Sequence, residues 1–251
     1  MKKDMIILGS TGSIGESVLK VLNKSSEIRI KLLVSNKNAN KLLFQAKKFN
    51  VKNVIINNLQ IFDKYKKTFK KNNINLHFGF KNIKKIIKKK VYYCVNSISG
   101  IEGFEPTLKF IPLTKNILIA NKESIICGWH IISKQLKSNK TNFIPLDSEH
   151  FSIWELLSPK SKNKIDKVIL TASGGPFLKK SLSQTSNIKP HRALKHPNWK
   201  MGKKISIDSS TMMNKVFEYI EAIKLFNLNK NQLSILIHPK SFIHAIIFFK
   251  G

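Results

Sequence analysis

Two carboxylates stand two residues apart at Asp147 and Glu149, directly after the apolar run Phe143-Ile144-Pro145-Leu146. At the end of an extended segment such a pair projects to one side. The chain holds 14 Asp and Glu against 45 Lys and Arg, so two acids this close need a reason. Hard divalent cations such as Mg²⁺ and Mn²⁺ take oxygen ligands and need only a few carboxylates beside water and substrate. A turn in which Asp147 or Ser148 caps a helix over 151–157 is the alternative. Farther on, Asn214, Lys215 and Glu218 share one face of a helix, at i, i+4 and i, i+3 spacing. An amide, an ammonium and a carboxylate on one face fit a phosphate and a metal held side by side. An ordinary surface Lys–Glu pair is the alternative, and Glu221 one turn on reads as a surface residue. The run Asp208-Ser209-Ser210-Thr211 reads as the N-cap cluster of that helix.

Three more segments carry polar chemistry. Residues 170–177 read L-T-A-S-G-G-P-F. Small residues there let a ligand reach the backbone, and Ser173 can donate to an anion; a plain turn explains the same letters. His196-Pro197-Asn198-Trp199-Lys200-Met201-Gly202 reads as a loop with an exposed Trp199 and a hinge at Gly202, suited to a lid that excludes water. His238 and His244 follow an apolar strand over 233–237.

The elements that would position these groups are legible as alternating apolar runs. Residues 5–15 read M-I-I-L-G-S-T-G-S-I-G: a strand, a glycine turn and a helix opening. Gly9 permits the turn, Gly12 lets backbone approach a pyrophosphate, and Gly15 packs helix on strand. The helix N-terminus then faces the phosphates. A plain β–α turn is the alternative. The second strand, 28–34, ends in Ser35-Asn36-Lys37-Asn38 without the acid that would hold a ribose 2′-hydroxyl. A hydroxyl and a cation suit a 2′-phosphate, favouring NADP over NAD. Helices over 15–22 and 40–49 and further strands over 54–56, 92–98 and 117–119 complete a parallel α/β sheet with helices on both faces. Residues 64–90 read as surface helices and loops with a strand near Leu76. Near Leu146 the pattern changes to an α+β, site-bearing region. The expected domains are therefore 1–146 and 147–251.

The formal charge is +31. It comes almost wholly from Lys spread among Asn and Ile, with only Arg29 and Arg192 as arginines, a pattern of biased coding composition. Base readout leans on Arg, so no specific nucleic-acid partner is expected, although anionic small molecules would be attracted. No apolar run reaches a membrane span, and the N-terminus lacks a signal-peptide pattern. Cys94 and Cys127 have neither disulfide nor metal spacing and suit a reducing, cytoplasmic setting.

Taken in order, these segments closely resemble the 1-deoxy-D-xylulose 5-phosphate reductoisomerase family. The likeness rests on G-S-T-G-S-I-G at 9–15, A-N-K-E-S at 120–124, P-L-D-S-E-H at 145–150 and T-A-S-G-G-P-F at 171–177. It continues through H-P-N-W-K-M-G at 196–202, K-I-S-I-D-S-S-T-M-M-N-K at 204–215, E-Y-I-E-A at 218–222 and H-P-K-S-F-I-H at 238–244. The resemblance implies a Rossmann-like NADPH-binding domain followed by an α+β catalytic domain. It implies NADPH-dependent, metal-dependent conversion of 1-deoxy-D-xylulose 5-phosphate to 2-C-methyl-D-erythritol 4-phosphate, in isoprenoid precursor synthesis. By the same resemblance Gly9, Ser10, Thr11, Gly12, Ser13, Ile14, Lys37, Asn38, Asn121, Glu123 and Gly202 belong to the NADPH site. Asp147, Glu149 and Glu218 would hold one Mg²⁺ or Mn²⁺, with Glu149 and Glu218 also bordering the substrate. Ser173, Ser209, Asn214 and Lys215 would hold the substrate phosphate. Lys122, Ser148 and His196 would contact the sugar backbone, with Trp199 as the cover; Lys122, Glu149 and His196 carry over as catalytic.

Two departures bear on local backbone: Val216 and Asn36 stand where the family commonly has glycine. The chain also stops at Gly251, short of the family's length, so the catalytic domain reads as incomplete. The family pairs as homodimers through strands beyond that point. Residues 242–249 are then expected to form an edge strand exposing Ile243, Ala245, Ile246, Ile247 and Phe248. Such an edge promotes self-association, so the chain is expected to bind NADPH, turn over little substrate and self-associate.

Overall fold

The computed structural model describes residues 2–157, 164–196 and 202–250. Two units emerge, Met1–Ile144 and Pro145–Gly251. The division falls two residues before the boundary read from sequence, at the proline that closes a strand.

In the first unit the strands are β1 (Lys3–Leu8), β2 (Ile28–Ser35), β3 (Asn53–Ile56), β4 (Asn75–Phe78), β5 (Val91–Asn96), β6 (Thr114–Ile119) and β7 (Asn142–Pro145). Between them run α1 (Ser13–Leu22), α2 (Ala39–Lys48), α3 (Leu59–Lys71), α4 (Ile83–Ile86), α5 (Phe104–Phe110) and α6 (Lys122–Asn139). The sheet order is β4-β3-β2-β1-β5-β6-β7, and the pairs from β4 through β6 are parallel. Continuous rather than alternating apolar runs are what a sheet covered on both faces requires. Accordingly Ile6, Ile7, Leu8, Leu32, Leu33, Ile55 and Ile56 are all buried. The order reverses between β1 and β5, the switch point at which α/β sheets of this kind bind dinucleotides.

Strand β5 stops at Asn96 rather than running to Ile98. The Asn96 amide donates to the Gly103 carbonyl at 2.8 Å and to Thr107 Oγ1 at 2.7 Å, and its oxygen accepts from Ile98 N–H at 3.1 Å. These bonds turn the chain out of the sheet. Helix α6 breaks its regular geometry at Gly128 (φ −132°, ψ 16°). A Cβ at that position would overlap the Phe104 ring of α5. Gly128→Ala should therefore lower unfolding free energy by about 1–3 kcal/mol, the usual result of overfilling a packed contact. A urea titration showing no loss would mean that Phe104 moves aside freely.

The second unit has α7 (Ser148–Leu156), β8 (Ile165–Ala172), α8 (Leu182–Thr185), α9 (Pro190–Ala193), α10 (Lys203–Ser210), α11 (Met213–Phe226), β9 (Leu233–Ile237) and β10 (Ala245–Phe249). Strand β8 is central, antiparallel to β10 and parallel to β9. Ile153 of α7 and Ala222 of α11 close over Val168, Leu170, Leu233 and Ala245 of this sheet.

Two expectations change here. The edge strand starts at Ala245, not Phe242, because residues 238–242 fold back: Phe242 N–H donates to His238 Nε2 at 3.1 Å and Ser241 takes φ 52°. Only Ile243 and Phe248 of the five expected residues are exposed; Ala245 is buried and Ile246 and Ile247 are half-buried. Asp208, Ser209 and Ser210 do not cap the helix that carries Glu218. They end α10, and the cap of α11 is Met212, left-handed at φ 60° without a side-chain bond. Val216 lies on the exposed side of α11, where a β-branched residue is accepted.

Candidate metal and cofactor sites

The two acids read from the sequence do converge, for a different reason than an extended backbone. Strand β7 has ended at Pro145. Asp147 is the N-cap of α7: its Oδ1 accepts from the N–H groups of Glu149 (3.2 Å) and His150 (3.4 Å). The cap and the acidic cluster are thus one structure, not alternatives. Glu149 lies in the first helical turn, its Oε2 bonded by Ser148 Oγ at 2.7 Å. Glu218 enters from α11, almost wholly buried. One oxygen each from Asp147, Glu149 and Glu218 lie within 4.8 Å of one another.

Lys215, one turn before Glu218, points into this cluster. Its ammonium pairs with Glu149 Oε1 at 2.8 Å and with Glu218. Burial favours the neutral amine, but the charges of Glu218 and Glu149 and their hydrogen bonds outweigh it and raise the Lys215 pKa above the ordinary 10.5. The Asn214 amide donates to Glu218 Oε1. Asn214 and Lys215, expected at a substrate phosphate, are directed at carboxylates in this structure. The site gathers three carboxylates in a strongly basic chain. Clustered carboxylate oxygens suit a hard divalent cation.

Two partners of this cluster were not legible in the sequence. His150 is 1% exposed. Its Nε2 lies 2.9 Å from the Glu218 carbonyl, which can only accept, so that nitrogen carries the proton. Its Nδ1 lies 3.4 Å from Asp147 Oδ1 and 3.7 Å from Glu221 Oε2. Glu221 is therefore buried beside His150 and is not the surface residue expected. The i, i+3 spacings of Asp147 to His150 and Glu218 to Glu221 were the available signal. His244 Nδ1 completes the surroundings at 4.0 Å from Glu149 Oε2.

Ser173 follows β8, and its Oγ is 3.0 Å from His196 Nε2. Burial lowers the His196 pKa from 6.5, so the ring is neutral at neutral pH. Gly175 has φ 69°, and a Cβ there would overlap the Ser209 carbonyl. Glycine thus packs the 173–175 turn onto the end of α10 and brings Ser173 and Ser209 into one region. Gly202 caps α10 with φ −62°, a conformation that needs no glycine. Trp199 lies outside the described residues.

In the first unit, Gly9 holds φ 76° with its missing Cβ against the Ser97 backbone. Gly12 caps α1; leaving out its chain neighbours, a Cβ there would meet only the Gly9 carbonyl, at 3.4 Å. The side of the turn at Thr11, Gly12, Ser13 and Ile14 is thus open enough for a pyrophosphate. Ser10 and Ser35 are buried, and Ser35 Oγ is 2.8 Å from Thr11 Oγ1. The Ser35 hydroxyl faces the turn, and Lys37 is exposed. Asn38 caps α2, accepting from Lys41 N–H. Lys122 and Glu123 open α6. Asn121, 3% exposed, donates to the carbonyls of Ile98 and Gly100 and accepts from Ser124 N–H. Its side chain ties the β5–α5 loop to α6, so any cofactor contact falls to its backbone.

Two sequence models match this chain: 1-deoxy-D-xylulose 5-phosphate reductoisomerase over residues 5–128 and the C-terminal domain of the same enzyme over 143–226. The chain belongs to the 1-deoxy-D-xylulose 5-phosphate reductoisomerase family. The reductoisomerase of Pelagibacter ubique is 54% identical over 99% of this chain, and that of Clostridium tetani 40% identical over 99%. The chain spans 65% and 66% of the length of these relatives. Among solved structures, the Zymomonas mobilis reductoisomerase in complex with NADPH superposes with TM-score 0.87 at 30% identity, covering 99% of this chain and 65% of that one. A reductoisomerase complex with NADPH, fosmidomycin and magnesium superposes with TM-score 0.88 at 34% identity, covering 98% and 64%. Among the described residues no helix of this reductoisomerase-family chain is long and apolar enough to cross a membrane, and Cys94 and Cys127 are free thiols.

Proposed function

We propose that this chain holds the NADPH and the Mg²⁺ or Mn²⁺ used in the isomerisation and reduction of 1-deoxy-D-xylulose 5-phosphate. The observation that carries the reading is the convergence of Asp147, Glu149 and Glu218 around Lys215, in a chain whose solved relatives include complexes with NADPH and magnesium. The bound ion would supply Lewis acidity and NADPH a hydride. Asp147, Glu149 and Glu218 would hold the ion. Ser148 fixes the Glu149 rotamer, and Lys215 holds Glu149 and Glu218 together. Neutral His196, bonded to Ser173, accepts or passes a proton at Nε2, while Ser173 and Ser209 bind the phosphate. In the first unit the turn from Gly9 to Ile14 binds the pyrophosphate, Lys37 the 2′-phosphate, and the start of α6 at Asn121, Lys122 and Glu123 borders the nicotinamide end. Free thiols at Cys94 and Cys127 fit a cytoplasmic location.

NADPH consumption in the presence of 1-deoxy-D-xylulose 5-phosphate should require the divalent ion, stop on chelation with EDTA and return when the ion is restored. Turnover undiminished by exhaustive chelation would identify an ion-independent dehydrogenase instead. Absence of turnover with both NADPH and ion bound would show that the chain lacks the activity.

A further inference from the structure

We propose that Gln45 is a positioning residue of the dinucleotide turn, setting the direction of the Thr11 N–H that meets the pyrophosphate; this rests on the NADPH reading above. Gln45 lies on α2, distant in sequence from the glycine motif, and is 5% exposed. Its amide makes two bonds to one residue. Ser10 Oγ donates to Gln45 Oε1 at 2.9 Å, and Gln45 Nε2 donates to the Ser10 carbonyl at 2.9 Å. A carbonyl can only accept, so the amide has one workable orientation. The pair fixes both the Ser10 side-chain rotamer and the tilt of its carbonyl.

The peptide that follows is planar and trans, so the Thr11 N–H points opposite to the Ser10 carbonyl. Drawing that carbonyl toward Gln45 turns the N–H away from α2. The same turn is held elsewhere by other groups: Gly9 and Ser10 N–H groups both donate to the Val34 carbonyl at 2.9 Å, Thr11 Oγ1 meets Ser35 Oγ, and the Gly9 carbonyl accepts from Gly12 N–H at 3.0 Å and Ser97 Oγ at 3.2 Å, but none of these bonds reaches the Ser10 carbonyl. Those ties locate the turn but leave the Ser10–Thr11 peptide plane to Gln45. A buried amide is costly unless bonded. A methionine of similar length would pack as well beside Leu42 and Ala46, which are also buried, but would orient nothing.

Gln45→Met tests this by removing both bonds while keeping length. By fluorescence titration of the folded chain it should weaken NADPH and NADH by the same factor, roughly five- to tenfold, as expected for two lost bonds whose effect is partly transmitted. Both cofactors carry the pyrophosphate, so their ratio should hold. Lys37→Glu should instead shift the NADPH to NADH ratio. A variant that only loosened the core would melt earlier, yet its folded fraction would bind unchanged. Unaltered affinity in folded Gln45→Met overturns the proposal. If that variant does not fold, Ser10→Ala, which keeps the carbonyl bond, decides: a loss of about two- to threefold supports the proposal, and none overturns it. Wild-type chain without saturable NADPH binding would remove the cofactor reading itself and this inference with it.

Discussion

Glu149→Gln should lower Mn²⁺ affinity by about 100-fold or more, with little change in fold. The carboxylate is one of few anionic ligands on offer, and a loss of this size matches or exceeds that from disturbing the surroundings of a bound ion. Its shape survives in Gln, but its charge does not. The replacement amide can accept from Lys215 Nζ only through its single oxygen, and its nitrogen meets Ser148 Oγ only if that hydroxyl turns from donor to acceptor. The fold should hold because the cap of α7 is Asp147, not Glu149. Calorimetric titration of Mn²⁺ into wild type and variant measures the difference. Equal affinity would take Asp147, Glu149 and Glu218 out of consideration as a metal site.

Lys215→Met should destabilise the ion-free protein by about 3–5 kcal/mol, the usual result of removing one partner from a buried ion pair. The carboxylates of Glu149 and Glu218 would stay behind with their mutual repulsion, Glu218 nearly sealed from water. Denaturant unfolding in EDTA gives the loss. Added Mn²⁺ should then restore more stability to the variant than it adds to wild type, because ligand binding to the native state stabilises by mass action and the ammonium no longer competes for the same oxygens. A loss below about 1 kcal/mol, insensitive to the ion, would place these acids among solvated surface pairs.

The parallel sheet was legible because burial on both faces leaves continuous apolar runs, as at Ile6–Leu8 and Leu32–Val34. The glycine turn and the acid pair were legible because their chemistry is local. Burial decided by packing from elsewhere in the chain was not. Glu221 looks like a solvated helix residue until α7 brings His150 over it, and Ser35 looks available until Thr11 takes its hydroxyl. Helix ends were misread where a side chain overrode the pattern. Serines and an aspartate at 208–210 have the composition of a helix start, yet the left-handed Met212 puts the break after them. Asn96 likewise ended β5 early by bonding inward.

Asp147 meets two demands that restrict each other. A cap needs a short acceptor that can fold back onto the next amides, which Ser, Thr, Asn and Asp provide and longer acids provide poorly. A hard-cation ligand needs full negative charge. Only aspartate satisfies both. Glu149 and Glu218 carry no capping duty and have the longer reach to close the triangle from their own positions. The identity of residue 147 is therefore set twice over. A neutral Asn there would preserve the helix start while disarming the cluster, and a Glu would keep the charge while unravelling the turn that aims it.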